Sequence, residues 1–306
     1  MEIALHDGDG EHRHTKSKFP NLALMKISAY HKAKGDHVEW WFPFKKYDVV
    51  YSSKVFSFTP ENPYLPEDTI KGGTGYGLYE KLPPEIDSKY PDYNIYPDCD
   101  YAIGFITRGC MRRCDYCVVP KKEGEIRYNA YAEMIVRADT RKIVLMDNNI
   151  LGSAFGRGEL ERLATIWDGY FIDVNQGMDI FYINDKVCRL IKLVKWIKYI
   201  RFSCDKIEQL PYFEKANVLF QKHGIPASRI FIYLLVREDL ANAEFRVQSL
   251  HKINKSWTIY AQAERQGNTP PNRAMLEFAQ RYVYGRCYKK EAWLEYIERR
   301  DLGGFL

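Results

Sequence analysis

The sequence predicts an α/β protein: a small N-terminal Rossmann-like α/β domain followed by a partial barrel of the TIM type, (β/α)6. Three observations carry that prediction. From residue 101 onward, short apolar runs alternate with helix-like segments, the rhythm of a parallel sheet with helices outside it. There are six such units, where eight would close a full barrel. Ahead of them, residues 2–56 read as strand, helix, strand and strand, enough for a small parallel sheet.

In the first part, EIALH (2–6) reads as a strand and is followed by a polar loop. NLALMKISAYHKAK (21–34) places Leu22, Met25, Ile27 and His31 at helical intervals, with Gly35 as its C-cap. HVEWWF and DVVYSSKVF read as two further strands. GGTGYG (72–77) could cradle a phosphate, but no clear helix follows it, so the dinucleotide fingerprint fails its context test. It reads as a loop that needs positive φ. LPPEIDSKYPDYNIYPDCD is too rich in proline for a helix or a central strand and reads as an ordered linker. This sets a domain of residues 1–98, a core of 99–270 and a helical extension of 271–306.

The core strands are expected at 101–107, 142–147, 170–175, 199–204, 229–236 and 257–263. Helices are expected at 129–138, 157–168, 184–196, 209–223 and 239–252, then at 273–285 and in KKEAWLEYIERR at the end. With 306 residues, one large or two modest domains fit, and 46% hydrophobic content supports a sizeable core. The net charge of +5 is mildly basic and permits an anionic partner without demanding one. No run approaches the ~18 apolar residues of a membrane span, and the start lacks the pattern of a signal peptide. A soluble, cytoplasmic protein is expected.

Seven cysteines are present, and Cys110, Cys114 and Cys117 crowd together as C-x3-C-x2-C. A reducing compartment favours metal binding over disulfides. Structural zinc usually takes four ligands in two spaced pairs. Here one triplet stands alone, with Cys99 as a possible fourth ligand and Cys188, Cys204 and Cys287 in other units. A redox dithiol would not need Cys110. A cubane iron–sulfur cluster needs one thiolate per iron to be closed, so three thiolates leave one iron open to a small chelating molecule. The triplet follows the first core strand directly, where barrel active sites are built. A non-catalytic zinc or iron–sulfur protein with a structural or sensing role is the alternative.

With the aromatic Tyr116 just before the third cysteine, residues 101–265 resemble the radical S-adenosylmethionine (radical SAM) superfamily. The resemblance implies a 4Fe-4S cluster on Cys110, Cys114 and Cys117, and S-adenosylmethionine bound to the open iron through its amino and carboxylate groups. It implies reductive cleavage to a 5′-deoxyadenosyl radical that takes hydrogen from an unidentified substrate. An electron donor such as flavodoxin or ferredoxin is implied as partner. By location, Asp147, Asn148 and Asn149 match the strand end that holds the cofactor's amino group, although the common Gly-Gly-Glu form is absent. An Asx-rich turn is a compatible reading of the same residues. Asn175, Gln176 and Asp179 end the third strand. Ser203 and Asp205 resemble the ribose-contacting position. Strand five lacks the glycine-rich adenine motif, and Gln262 and Arg265 end strand six.

Arg108, Arg112, Arg113, Lys121 and Lys122 surround the cysteines, either to favour the reduced cluster and an anionic substrate or as a solvated loop. Lys192, Lys195, Lys198 and Arg201 read as a solvated face. A nucleic-acid or tRNA substrate is favoured slightly over a peptide or metabolite. The N-terminal domain resembles a degenerate form of the cobalamin-binding subclass. Its Asp-x-His-x-x-Gly loop is missing, since His12 and His14 do not make the motif and His31 lies at a helix end; cobalamin is not expected. Methylthiolating members usually carry a second cluster in an N-terminal domain, and with only Cys99 upstream of the triplet that activity is not expected.

Overall fold

The computed structural model describes residues 1–10, 19–165, 169–265 and 269–300. The loop histidines His12 and His14 lie outside them. The chain begins with β1 (Glu2–Asp7), α1 (Leu22–Ala33), β2 (His37–Trp40), β3 (Val49–Ser53) and β4 (Ile70–Gly72). These strands form one parallel sheet in the order β2-β1-β3-β4. β1 is central and buried over nearly its whole length, as parallel strands covered on both faces must be. Helix α1 starts at Asn21, whose side chain accepts from Leu24 N at 3.3 Å, an N-cap that satisfies one orphan amide. Its apolar side packs Leu24 and Ile27 against Leu5 and Ile86. β4 was not expected from the sequence. The linker reading is corrected at one point, since Pro84–Asp87 makes a one-turn helix, α2, with proline in its favoured first-turn position.

The rest of the chain runs β5 (Ala102–Gly104), β6 (Thr107–Arg108), α3 (Val119–Lys122), β7 (Arg127–Tyr128), β8 (Lys142–Leu145), α4 (Ala154–Thr165), β9 (Phe171–Val174) and α5 (Asp185–Leu193). It continues with β10 (Ile200–Ser203), α6 (Leu210–Lys222), β11 (Ile230–Val236), α7 (Leu240–Ile253) and β12 (Thr258–Ala263). α8 (Arg273–Glu277) runs directly into a π-helical turn, Phe278–Val283, and α9 (Trp293–Arg299) follows. The sheets β5-β8-β9 and β10-β11-β12 are each parallel. They are joined where Met178 N donates to Arg201 O at 2.8 Å and Ile197 N to Ile172 O at 2.9 Å. The six strands therefore lie side by side in chain order. The expected helix over 129–138 is corrected to a single 3-10 turn, Ala132–Ile135. A Cβ on Gly104 would lie 2.6 Å from Ile135 Cγ1, so the bare glycine is what lets Ile135 seat on β5.

Side chains alternate across these strands. One face sends Ile143, Leu145, Ile172, Phe202, Ile230 and Ile232 into the main core beneath the helices, against Leu160, Val187, Phe213 and Val247. On the opposite face of β5, Ile103 packs on Met25 of α1 and on Tyr93, Tyr96 and Cys99, with Met146 beside them. The N-terminal region thus covers that face at β5 and β8. Among the described residues no helix is long and apolar enough to cross a membrane.

Candidate functional site

The cysteines sit in a hairpin loop at the carboxyl end of β5. Its stem is β6 paired antiparallel with β7, Thr107 opposite Tyr128 and Arg108 opposite Arg127. Such short strands hold only with further pins. Arg108 clasps the buried Glu123 through two bonds of 3.0 and 2.9 Å, and Arg127 reaches the Glu123 carbonyl at 2.5 Å. Cys110 N donates to Gly124 O at 3.1 Å. Gly109 has φ +87°, and a Cβ there would meet Glu125 O at 2.3 Å, so the loop can cross itself only at glycine.

The second strand end sets the base of this loop. Asp147 is fully buried and accepts from Ile106 N (3.0 Å), Thr107 N (2.5 Å) and Thr107 Oγ1 (2.7 Å). Burial pushes its carboxyl up to about 6 against the pull of those donors. Asn148 Oδ1 accepts from Gly109 N at 3.0 Å. Asn149 Nδ2 lies 3.5 Å from Cys110 Sγ and 3.5 Å from Asp179 Oδ2. Asn149 Oδ1 is buried with no hydrogen-bond partner. Asp147, Asn148 and Asn149 are therefore together, with Asp147 turned to the backbone of the 106–107 segment and Asn149 beside a cysteine.

Other strand ends close on the same loop. Arg112 Nε reaches Asp179 Oδ2 at 2.5 Å, and its guanidinium stacks 4.2 Å over Phe181. Tyr116 donates to Asp205 Oδ2 at 3.2 Å, and Asp205 Oδ1 accepts from Leu235 N at 2.9 Å. Burial raises the Asp205 carboxyl and, helped by Asp205 itself, the Tyr116 phenol. Ser203, half-buried at the end of β10, accepts from Gln209 Nε2 through its carbonyl at 3.0 Å. Arg237, at the end of β11, ties Asp115 (3.1 Å) to Glu264 (2.9 Å); the sequence reading missed it. Gln176 and Gln262 are exposed, and Arg265 stacks 3.8 Å over Phe58 of the N-terminal region. Asn175 offers its carbonyl to Tyr233 Oη at 3.0 Å.

All three thiols are free and half-buried. Burial pushes the Cys117 thiol up, and its neighbours Cys114 and Cys110 add to the push, so the three share one electrostatic neighbourhood. Among the described residues no group of three or more His, Cys, Asp or Glu side chains is arranged to hold a metal ion. A cluster makes a different demand, since each thiolate meets its own iron. Cys99 lies apart, buried among apolar side chains with Sγ donating to Tyr101 O at 3.2 Å.

The surrounding cations divide. Arg108 and Arg112 are structural pins, Lys122 donates to Glu80 O at 2.7 Å, Lys121 stacks 4.1 Å over Tyr79, and Arg113 is solvated with Glu125 3.6 Å away. The solvated-face reading of Arg201 is corrected. It is half-buried and binds Asp173 through two bonds of 2.7 and 2.8 Å.

The fold and loop define an α/β protein of parallel strands with a pinned three-cysteine hairpin at a strand's carboxyl end. In sequence, the chain is similar to tRNA-2-methylthio-N(6)-dimethylallyladenosine synthase of Hydrogenobaculum sp. (strain Y04AAS1), at 26% identity over 196 residues. The aligned stretch is 63% of this chain and 40% of that relative's length. This distant, partial likeness supports the radical SAM resemblance carried by the cysteine loop. No protein-family model and no solved structure matches the chain significantly.

Proposed function

We propose that this protein is a radical SAM enzyme whose six core strands form a partial (β/α)6 barrel over residues 99–270. Residues 1–98 cap it, and residues 271–306 extend it. Cys110, Cys114 and Cys117 would hold a 4Fe-4S cluster. Bound there, that cluster would supply one electron to the sulfonium of S-adenosylmethionine and release a 5′-deoxyadenosyl radical.

The chain's own residues then have distinct tasks. The unpartnered Asn149 Oδ1 beside Cys110 carries this reading, because a buried carbonyl without a donor costs stability unless a ligand supplies one. The cofactor's amino group, which keeps its N–H bonds when it ligates iron, is such a donor. Asp147 and Asn148 act one layer back and position the hairpin through Thr107 and Gly109. Asp179 fixes Arg112, and Asp205, next to Ser203 at the end of β10, fixes Tyr116, the residue just before the third cysteine. Gln176 lines the open rim. Cobalamin has no part in this reading, since His31 is held by Asp36 at 2.7 Å and Tyr51 at 3.1 Å. The likeness to a tRNA-modifying synthase supports a nucleic-acid substrate. With Cys99 in a core contact, methylthiolation through a second N-terminal cluster is not part of the proposal.

The test is anaerobic reconstitution, then dithionite and S-adenosylmethionine. The wild type is expected to form 5′-deoxyadenosine. Cys114→Ala should lose cleavage and most bound iron while keeping its melting temperature. A tightly held zinc with no cleavage would instead establish the structural-metal alternative.

A further inference from the structure

The face of β10–β12 turned away from the main core is unlike a barrel interior, which bulky aliphatic side chains normally fill in layers. Phe231 contacts Tyr199 (ring centroids 5.0 Å apart), Tyr233 (5.1 Å) and Tyr260 (5.8 Å, interplanar 29°). The Arg201 guanidinium lies 5.1 Å over Phe231, its charge matched by Asp173. The set reaches the surface at Tyr260, 38% exposed, and at Tyr284, 70% exposed, whose ring stands edge-on to Tyr260 at 6.4 Å.

The segment that presents Tyr284 is unusual in three ways. It follows the π turn Phe278–Val283, a rare conformation found often at functional sites. Arg286 has φ +61°, alone in positive φ among the described non-glycine residues. Between them, a Cβ on Gly285 would strike Arg281 O at 2.2 Å. Residues 278–290 carry Arg281, Arg286, Lys289 and Lys290 and no acidic residue. Arg281 pairs with Glu277 and Lys290 lies in the field of Glu291, whereas among the described residues Arg286, Lys289 and Lys290 are in no direct ion pair.

We propose that Tyr284 and Tyr260 form a stacking platform for the bases of a single-stranded nucleic acid, with Arg286, Lys289 and Lys290 meeting its phosphates. Rings take any base by its π-face, and unpaired cations beside them complement the backbone charge. As the substrate contact, the platform rests on the proposed function; as a binding surface it does not.

The experiment is fluorescence anisotropy of a labelled single-stranded oligoribonucleotide with the full-length protein, without S-adenosylmethionine. Tyr284→Ala is expected to weaken binding about tenfold or more, with Tyr284→Trp restoring it. Lys289→Glu with Lys290→Glu should flatten the salt dependence by roughly one to two units of slope. Equal binding by Tyr284→Ala and wild type, or equal competition by polyglutamate, overturns the inference. A protein that cleaves S-adenosylmethionine but ignores the oligonucleotide sinks the platform alone. One that binds without cleaving sinks the proposed enzyme alone.

Discussion

Two carboxyl edges of parallel strands can be set side by side in this molecule. In the N-terminal sheet the order β2-β1-β3-β4 puts a topological switch point between β1 and β3, where open α/β sheets bind ligands. Its polar groups are nevertheless spent on one another. His6 bonds Ser52 at 2.7 Å, and Asp7 accepts from Gly10 N at 3.0 Å and Tyr96 Oη at 2.8 Å. Asp9 accepts from Val55 N and Thr59 Oγ1, each at 2.6 Å, and the buried Lys54 donates to Thr59 O at 3.0 Å. A Cβ on Gly73 would lie 2.4 Å from Lys54 O, so glycine closes this edge further. At the cysteine hairpin the same kind of edge leaves three thiols free and Asn149 Oδ1 unpartnered. Topology nominates both edges, and only the accounting of polar groups separates a closed network from a site.

The largest expected break in that contrast is Asp147→Ala. It strands three donors in a buried place, so stability should fall by about 3 kcal/mol or more in urea titration, and the hairpin should lose the iron proposed for it. Asp147→Asn gives the pH arm. The native carboxyl is raised to about 6, so the stability it contributes is complete below about pH 4 and is lost as pH climbs through about 6. The stability of Asp147→Asn relative to wild type should therefore rise across that window and level off above it; a flat difference would refute the raised carboxyl. Next comes Asn149→Ala, expected to weaken S-adenosylmethionine binding about tenfold by calorimetry with little change in melting temperature, since it removes an unsatisfied group. The smallest effect belongs to the closed edge. Tyr96→Phe should cost about 1 kcal/mol and leave iron content untouched.

Much of the core was legible because each buried parallel strand is a short apolar run. The observed β8–β12 fall inside the runs read from sequence. The hairpin was not legible, because the two-residue strands β6 and β7 carry no periodicity and a long loop separates them. That pairing, with Ile135 seated on Gly104, is what shortens the expected helix near 129–138. Arg201 looked solvated because a run of cations in the sequence cannot show that Asp173 waits on the adjoining strand. At the site, the spacing of the cysteines and the polar strand ends could be read directly. The Arg237 tie and the isolation of Asn149 Oδ1 depend on contacts distant in sequence.

The seating of α1 and the 93–99 segment on β5 and β8 has a geometric consequence. With that flank taken, the remaining strip β9–β12 is four strands wide, which at ~4.8 Å between neighbours is roughly 14 Å from the first backbone to the last. A corridor so narrow favours a lone extended chain that threads along it over any broad partner laid across it.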